Sequence, residues 1–442
     1  MPENSERLTL KEVVAMGVGG MIGGGIFSVL GLAMNESGHA APAAFLVGGL
    51  IALITGYAYA RLGLHYQSDG GSFTYLERAF GHGNLAGIGG WLLLAGYIGT
   101  LGLYAYTFGA YGAAMLGQNE SANPAMHHLL ESLILLAFLG INLYGVKASG
   151  LTELIIVTVK VLILLLFAVI GLFYANLGHL QPFFDKGAGG LFMGAALIFV
   201  AYEGFELIPN AVNEMEDPER NLARGIFLSI FITIAVYVLV ALVALVAVVN
   251  LTPAQVAKYE EYALAVAAQP FLGRAGFVLI GLAALFSTAS AINATLFGTA
   301  RLGEVMARDR ELPRAFAFVR RDVDIPWFSL IAITGVTLAF VNLGDLTVIA
   351  SFSSSTFLLI FLAINVSAYR LRRTIAIHVL FPLSGMLFIL VSWLTLIAYL
   401  LRHDRVSLYW MAGAYATVIV AELLFSQRRL LFREPDGPAR SG

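Results

Sequence analysis

The chain has 442 residues, 59% of them hydrophobic and only 12% charged, with a net charge of −2 and no cysteine. A soluble chain carries about 25% charged residues, so this composition excludes a soluble globular protein and predicts one that crosses a membrane many times. Disulfide and thiolate–metal chemistry are excluded outright. The net charge says nothing about partners, whereas the placement of the charges does.

Apolar stretches of about 20 residues, long enough to cross a bilayer as helices, recur twelve times. Their limits are 10–34, 41–64, 85–117, 125–146, 151–175, 189–213, 222–250, 272–307, 326–343, 345–369, 375–401 and 406–426. The first run is too long for a cleaved signal peptide and is expected to remain as a span. Between the ninth and tenth, only Asn342, Gly344 and Asp345 mark a turn. The fold class expected is therefore an all-α polytopic membrane protein with one transmembrane domain over 1–426 and a cytoplasmic tail over 427–442. With the N-terminus inside, twenty of the 26 Lys and Arg residues fall in inner loops, five in outer loops, and Lys160 within the membrane. That bias predicts both termini on the cytoplasmic side of a cell membrane.

Two of these spans are interrupted at mid-depth, five spans apart. The first reads Met21-Ile22-Gly23-Gly24-Gly25-Ile26-Phe27 and the second Val200-Ala201-Tyr202-Glu203-Gly204-Phe205-Glu206. Three glycines in a row favour unwinding, and carboxylates near a bilayer centre are costly. Irregular backbone at that depth survives only where it lines a cavity or binds something. Interrupted helices at corresponding places in two halves point to the substrate site of a secondary transporter. Spans 1–5 (8–175) and 6–10 (188–373) are expected to form an inverted 5+5 repeat, with 374–426 as two peripheral helices.

Unwinding around Gly23–Gly25 frees amide donors at the start of a half-helix, where the dipole attracts a carboxylate. The alternative for the glycines alone is a small-residue packing seam, since Gly19 and Gly23 also make a GxxxG spacing. Unwinding around Tyr202–Gly204 frees carbonyls at a half-helix end, which suits a cation. Together the two breaks describe the two charged ends of an α-amino acid. Glu203 is expected to be protonated or turned toward a polar partner behind its helix, and Glu206 has the alternative of a structural carboxylate capping exposed amides. Lys160 lies about nine residues into the fifth span, roughly 14 Å along the axis. That is too deep for ordinary snorkelling, and a charged Lys there costs about 2.5–3.5 kcal/mol. It is a candidate proton carrier; the alternative is an ion pair with Glu153.

Other polar groups carry less. Ser287–Ser290 and Ser351–Thr356 line a path or bond back to their own helices, the commoner behaviour. Tyr97, Tyr104 and Tyr106 read as core or pathway, His127–His128 as an exposed loop, and Asp309 with Glu311 as a solvated face. No phosphate-binding GxxxxGK[ST] loop is present, which argues against ATP-driven transport. No catalytic set, metal site, cofactor or nucleic-acid partner is expected.

The motifs resemble those of the amino acid–polyamine–organocation (APC) superfamily with its LeuT-like fold, over nearly the whole chain. The matching segments are Gly19–Phe27, Gly70-Gly71-Ser72-Phe73 through Phe80-Gly81, and Phe199–Glu206 with Asn213-Glu214 and Asp217-Pro218 beyond. Ala263–Ala268 with Pro270-Phe271-Leu272-Gly273 resembles the family's fourth external loop. The chain is most similar to the proton-coupled ApcT-type members, which carry a lysine in the fifth span in place of a sodium ion. The resemblance implies that Lys160 meets the carbonyl of Gly19. It also implies that a substrate carboxylate meets the amides of Gly23, Gly24 and Gly25, and that its amino group meets carbonyls of Phe199, Val200 and Tyr202. The expected substrate-lining set is Ile22, Gly23, Gly24, Gly25, Phe199, Val200, Ala201, Tyr202, Glu203 and Gly204. Lys160, Gly19 and Glu206 form the expected proton-coupling set. Many relatives have an apolar residue where Glu203 stands. The function implied is proton-coupled amino-acid symport, favouring neutral substrates. The alternatives are a cationic amino-acid transporter or an exchanger of the same fold, and a receptor that binds amino acids without moving them.

Overall fold

The computed structural model describes residues 7–68, 70–81, 84–118, 123–145, 150–174, 178, 181–247, 258–309, 311–320 and 325–425. The tail 427–442 and the side chain of Glu153, the alternative partner for Lys160, lie outside the described residues. Fourteen α-helices follow the apolar pattern, and no β-strand occurs among the described residues. The first span is divided into α1 (Leu10–Met21) and α2 (Gly25–Ser37). A capping box starts α1: the Glu12 carboxylate accepts from the Thr9 amide at 2.8 Å and hydroxyl at 2.9 Å. Then come α3 (Ala41–Tyr66), a short connecting helix α4 (Gly71–Phe80), α5 (Asn84–Met115), α6 (Pro124–Tyr144) and α7 (Gly150–Tyr174). The sixth span opens with α8 (Gly187–Leu197) and continues, bent by 50°, as 3-10 turns Phe199–Tyr202 and Phe205–Glu214.

Next are α9 (Pro218–Ala247), a 3-10 turn Glu260–Tyr262 and α10 (Ala263–Arg308). Gly273, at φ +61°, kinks α10. Only glycine takes that backbone angle without strain, and the kink separates the loop helix from the expected eighth span. The chain ends with α11 (Trp327–Leu343), α12 (Leu346–Arg370), α13 (Leu380–His403) and α14 (Arg405–Phe425). The sparse turn between α11 and α12 is held by Asp345, whose side chain caps α12 by accepting from the Val348 amide at 2.8 Å. Span eleven starts at Leu380 rather than 375. Arg61 of α3 holds the Ile375 carbonyl at 2.6 Å and the Ala376 carbonyl at 2.9 Å, and Ala376 sits at φ +50°.

By length and apolarity, nine of the described helices qualify as spans, and the bent sixth makes ten. Among these, α2 and α3 run together as one apolar stretch, Gly25–Tyr66, and α11, with 17 residues, is shorter than the rest. Burial sorts these helices. The apolar window of α12 is 78% buried, whereas those of α6, α13 and α14 are 22%, 28% and 22% buried, so the last two stand at the periphery together with α6. Their exposed Leu387, Phe388, Leu394 and Val420 are ordinary for a lipid-facing surface, where only satisfied backbone and apolar side chains persist.

Two loop readings change. His127 and His128 belong to the first turn of α6, and His127 is fully buried. The helix starts at Pro124 behind an Asn123 cap and draws both histidines out of the loop. Glu311 is buried rather than solvated, while Asp309 is exposed.

Candidate functional site

The two breaks touch. A Cβ on Gly20 would come within 2.9 Å of Gly204 Cα, and one on Gly204 within 2.6 Å of the Met21 nitrogen. Gly204 also sits at φ +127°, a conformation open to glycine alone. So the glycine of the second break is required twice, by its own backbone and by its neighbour's.

In the first break, helix bonding ends with Ile22 N–H to the Val18 carbonyl at 2.8 Å and Gly23 N–H to the Gly20 carbonyl at 3.1 Å. The Gly23 amide, expected to face a carboxylate, is thereby turned back into α1. Bonding resumes with Ser28 N–H to the Gly24 carbonyl at 2.9 Å. The first-turn donors of α2 are then Gly25, Ile26 and Phe27, two residues further along than expected. The aromatic ring of Tyr104 lies over Gly24 where a Cβ would stand, and the Tyr237 hydroxyl does the same at Gly25.

The second break is tighter than expected. Phe199–Tyr202 keeps a 3-10 turn instead of unwinding, and the extended residue is Glu203, with ψ 141°. In that turn the Val200 carbonyl accepts from the Glu203 amide at 3.1 Å. Glu206 curls back so that its Oε2 accepts from the Gly204 amide at 2.7 Å, which is the capping role given above as its alternative. Glu203 turns toward α5 and accepts a hydrogen bond from Thr100. Both carboxylates are buried, at 4% and 1% exposure.

Side chains from three other spans satisfy part of the remaining backbone. Tyr237 of α9 lies 2.5 Å from the Met21 carbonyl and 3.0 Å from the Ala201 carbonyl, so one hydroxyl bridges both breaks. Ser287 of α10 donates to the Ile22 carbonyl at 2.7 Å. Ser354 of α12 donates to the Leu197 carbonyl at 2.5 Å and accepts from the Val200 amide at 3.0 Å. Thr288, Ser353 and Thr356 bond back to their own helices. The polar runs of spans eight and ten are thus split between the two behaviours. Buried Lys160, 3% exposed, donates from Nζ to the Gly19 carbonyl at 3.0 Å. Tyr237 and Thr100 were not among the expected site residues, and Ser287 and Ser354 lie in the stretches read above as lining a path or bonding back to their own helices. A polar group facing inward at mid-span depth is their one signal in the sequence.

A cavity of about 770 Å³ lies elsewhere, between α5, α11, α12 and α14, lined by Trp91, Phe340, Phe352, Tyr409 and Trp410 among others. None of the expected site residues lines it, so it is not the mid-span site. Among the described residues no group of His, Asp and Glu is arranged to hold a metal. What the breaks offer is recognition: donors at one half-helix start, carbonyls at another's end, and a lysine tied to the first.

A model of the amino acid permease family matches residues 8–421. The protein MJ0609 of Methanocaldococcus jannaschii is 34% identical over 430 residues, covering 96% of each chain. YbaT, an inner membrane transport protein of Escherichia coli, is 33% identical over 433 residues, covering 96% of this chain and 97% of its own. The methylthioribose transporter of Bacillus subtilis is 28% identical over 383 residues, 83% of this chain and 81% of that one. With that match across nearly all its length, the chain belongs to the amino acid permease family of the APC superfamily, as a multi-pass membrane transporter and not an enzyme.

Proposed function

We propose that the chain imports neutral amino acids in symport with protons across the cell membrane, both termini cytoplasmic, with 8–175 and 188–373 acting as inverted halves. The observation that carries the reading is the bond from Lys160 to the Gly19 carbonyl. A buried ammonium there holds the first broken span to the fifth. Loss of its proton weakens that tie and adds no other cation to replace it, so proton occupancy and the arrangement of the break are coupled. The substrate carboxylate takes the amides at the start of α2, and the amino group takes carbonyls of the second break. The turn of Glu203 to Thr100 spends its carboxylate on α5 and favours a neutral side chain over a cationic one.

The test is uptake of labelled alanine into proteoliposomes under an imposed proton gradient, with and without a protonophore. Accumulation is expected in the unmodified protein and lost in Lys160→Ala, which retains substrate binding. Normal gradient-driven accumulation in Lys160→Ala overturns the coupling assignment, and binding without any uptake favours the receptor reading.

A further inference from the structure

The cavity of about 770 Å³ beside α14 takes no part in the site described above. Its walls are Leu94 and Ile98 of α5, Ile333 and Phe340 of α11, and Trp410 of α14, with Phe352 of α12 as its floor. No charged residue lines it among the described residues. An amino acid would find no partner there for either charged end. Water is as poor an occupant, since it needs about two to four polar partners. The Thr417 hydroxyl on the α14 wall already donates to the Gly413 carbonyl at 2.9 Å.

The slot opens onto the lipid-facing surface. Val406 and Tyr409, which border it, are 62% and 68% exposed, and Val336 of α11 is 55% exposed. At the far end the lining passes to Trp91 and to Phe316, in the 3-10 turn Arg314–Ala317, both half-buried. Along α14 the wall runs from Val406 to Ala421, about 22 Å at 1.5 Å per residue. One leaflet of hydrocarbon is about 15 Å deep, half of the bilayer core, so the slot takes an acyl chain at full length. The exposed mouth is also the charged end. Arg402 stands in the last turn of α13 and Arg405 starts α14, both exposed. Asp404 between them caps α14, its Oδ1 accepting from the Ser407 amide at 3.1 Å. Two guanidiniums thus stand at the mouth with the neighbouring carboxylate engaged, which suits an anion.

We infer that this slot is a phospholipid site: one acyl chain, from the leaflet on the Arg405 side, fills it, with the phosphate held by Arg402 and Arg405. Inside a bilayer a tail gains nothing from leaving water, so the hold comes from close packing in a fixed slot and from the charged headgroup. The tail then lies one layer from the second break. Phe352 packs on α5, where a Cβ on Gly99 would meet its ring at 3.1 Å. Two residues on, Ser354 holds the Leu197 carbonyl and the Val200 amide, so the chain rests on the element that holds that break.

The four tryptophans supply the test, since Trp91 lies at the deep end of the slot. A protein carrying Trp327→Phe, Trp393→Phe and Trp410→Phe keeps Trp91 alone. It is reconstituted in phosphatidylcholine with rising fractions of phosphatidylglycerol whose chains carry bromine, a quencher on contact. Trp91 emission is expected to fall and to saturate while most of the lipid is still unbrominated. A protein keeping Trp327 alone, whose ring is exposed, should instead fall in proportion to the brominated fraction. Gly413 borders the slot midway along its α14 wall, and a Cβ there meets no atom within 4 Å, so Gly413→Phe narrows the slot without a clash. It and Ala414→Phe, made separately, should each abolish the loss of Trp91 emission. Gly335→Phe should keep that loss, because a Cβ there also meets no atom within 4 Å but lies outside the slot. Arg402→Gln with Arg405→Gln should raise the brominated fraction at saturation on the order of tenfold. Undiminished Trp91 emission overturns the inference, as does equal quenching in the filled variants and in Gly335→Phe. Saturation unmoved in the arginine variant overturns the phosphate assignment. Unquenched Trp91 together with disulfide-linked dimers of Gly413→Cys would place a second copy of the chain on the slot instead.

Discussion

Tyr237→Phe tests whether one hydroxyl sets the relation between the two breaks. The ring would stay in place, since it packs edge-on against Phe45 and Tyr202, each with centroids 5.4 Å away. Only the hydroxyl is lost, together with its contacts to the Met21 and Ala201 carbonyls. A phenol has one hydrogen to share between two acceptors, so the loss is that of one donor, not two. Leaving a buried carbonyl without its donor costs about 1–3 kcal/mol. If the bridged arrangement is the one that binds substrate, that cost appears as weaker binding by roughly 5- to 150-fold, at 1.4 kcal/mol per decade. The assay is equilibrium binding of labelled alanine to purified protein, with folding checked by gel filtration. A second variant sharpens it: in Gly25→Ala the added methyl would strike this same hydroxyl. Gly25→Ala with Tyr237→Phe should therefore lose less affinity than the two single changes summed. Affinity within twofold of the unmodified protein in Tyr237→Phe, or strict additivity in the pair, would refute the reasoning.

Gly24→Val should abolish substrate binding, because its Cβ would enter the space of the Tyr104 ring; binding of alanine and of its carboxamide, compared in the unmodified protein, should favour the acid by tenfold or more, since charged hydrogen bonds contribute about 1.5–3 kcal/mol. Glu203→Gln preserves a partner for Thr100, so competition by leucine and alanine should be unchanged. Arginine competing best, and losing that rank in the Gln variant, would make Glu203 a side-chain ligand instead.

The spans and the places where two of them break were legible because both are written locally, in apolar length and in Gly23-Gly24-Gly25 and Glu203-Gly204. The peripheral place of α13 and α14 followed from the same count. How the breaks are held was not legible. Tyr237 reaches a carbonyl 216 positions away, and Ser287 one 265 positions away, contacts that exist only once the spans are packed. Neighbouring Thr288 and Ser353, with the same composition and depth, bond to their own helices; a rotation of about 100° per residue decides between the two outcomes. The turn at Phe199–Tyr202 stayed helical because 3-10 bonding keeps its amides paired, which a count of glycines does not reveal. His127 was misplaced because Pro124 starts α6 three residues before it.

The contact between Gly20 and Gly204 sets a limit on how this molecule can diverge. Main chain lies against main chain there, with no side chain between, so the two interrupted spans have no adjustable spacer. Under the function proposed, a lineage that changes its cargo does so at Thr100, Tyr104, Glu203 and their neighbours, leaving that seam alone. In the reading proposed, the grip on the common part of an amino acid is frozen while the grip on its variable part is free to drift. A transporter built this way changes diet without rebuilding its engine.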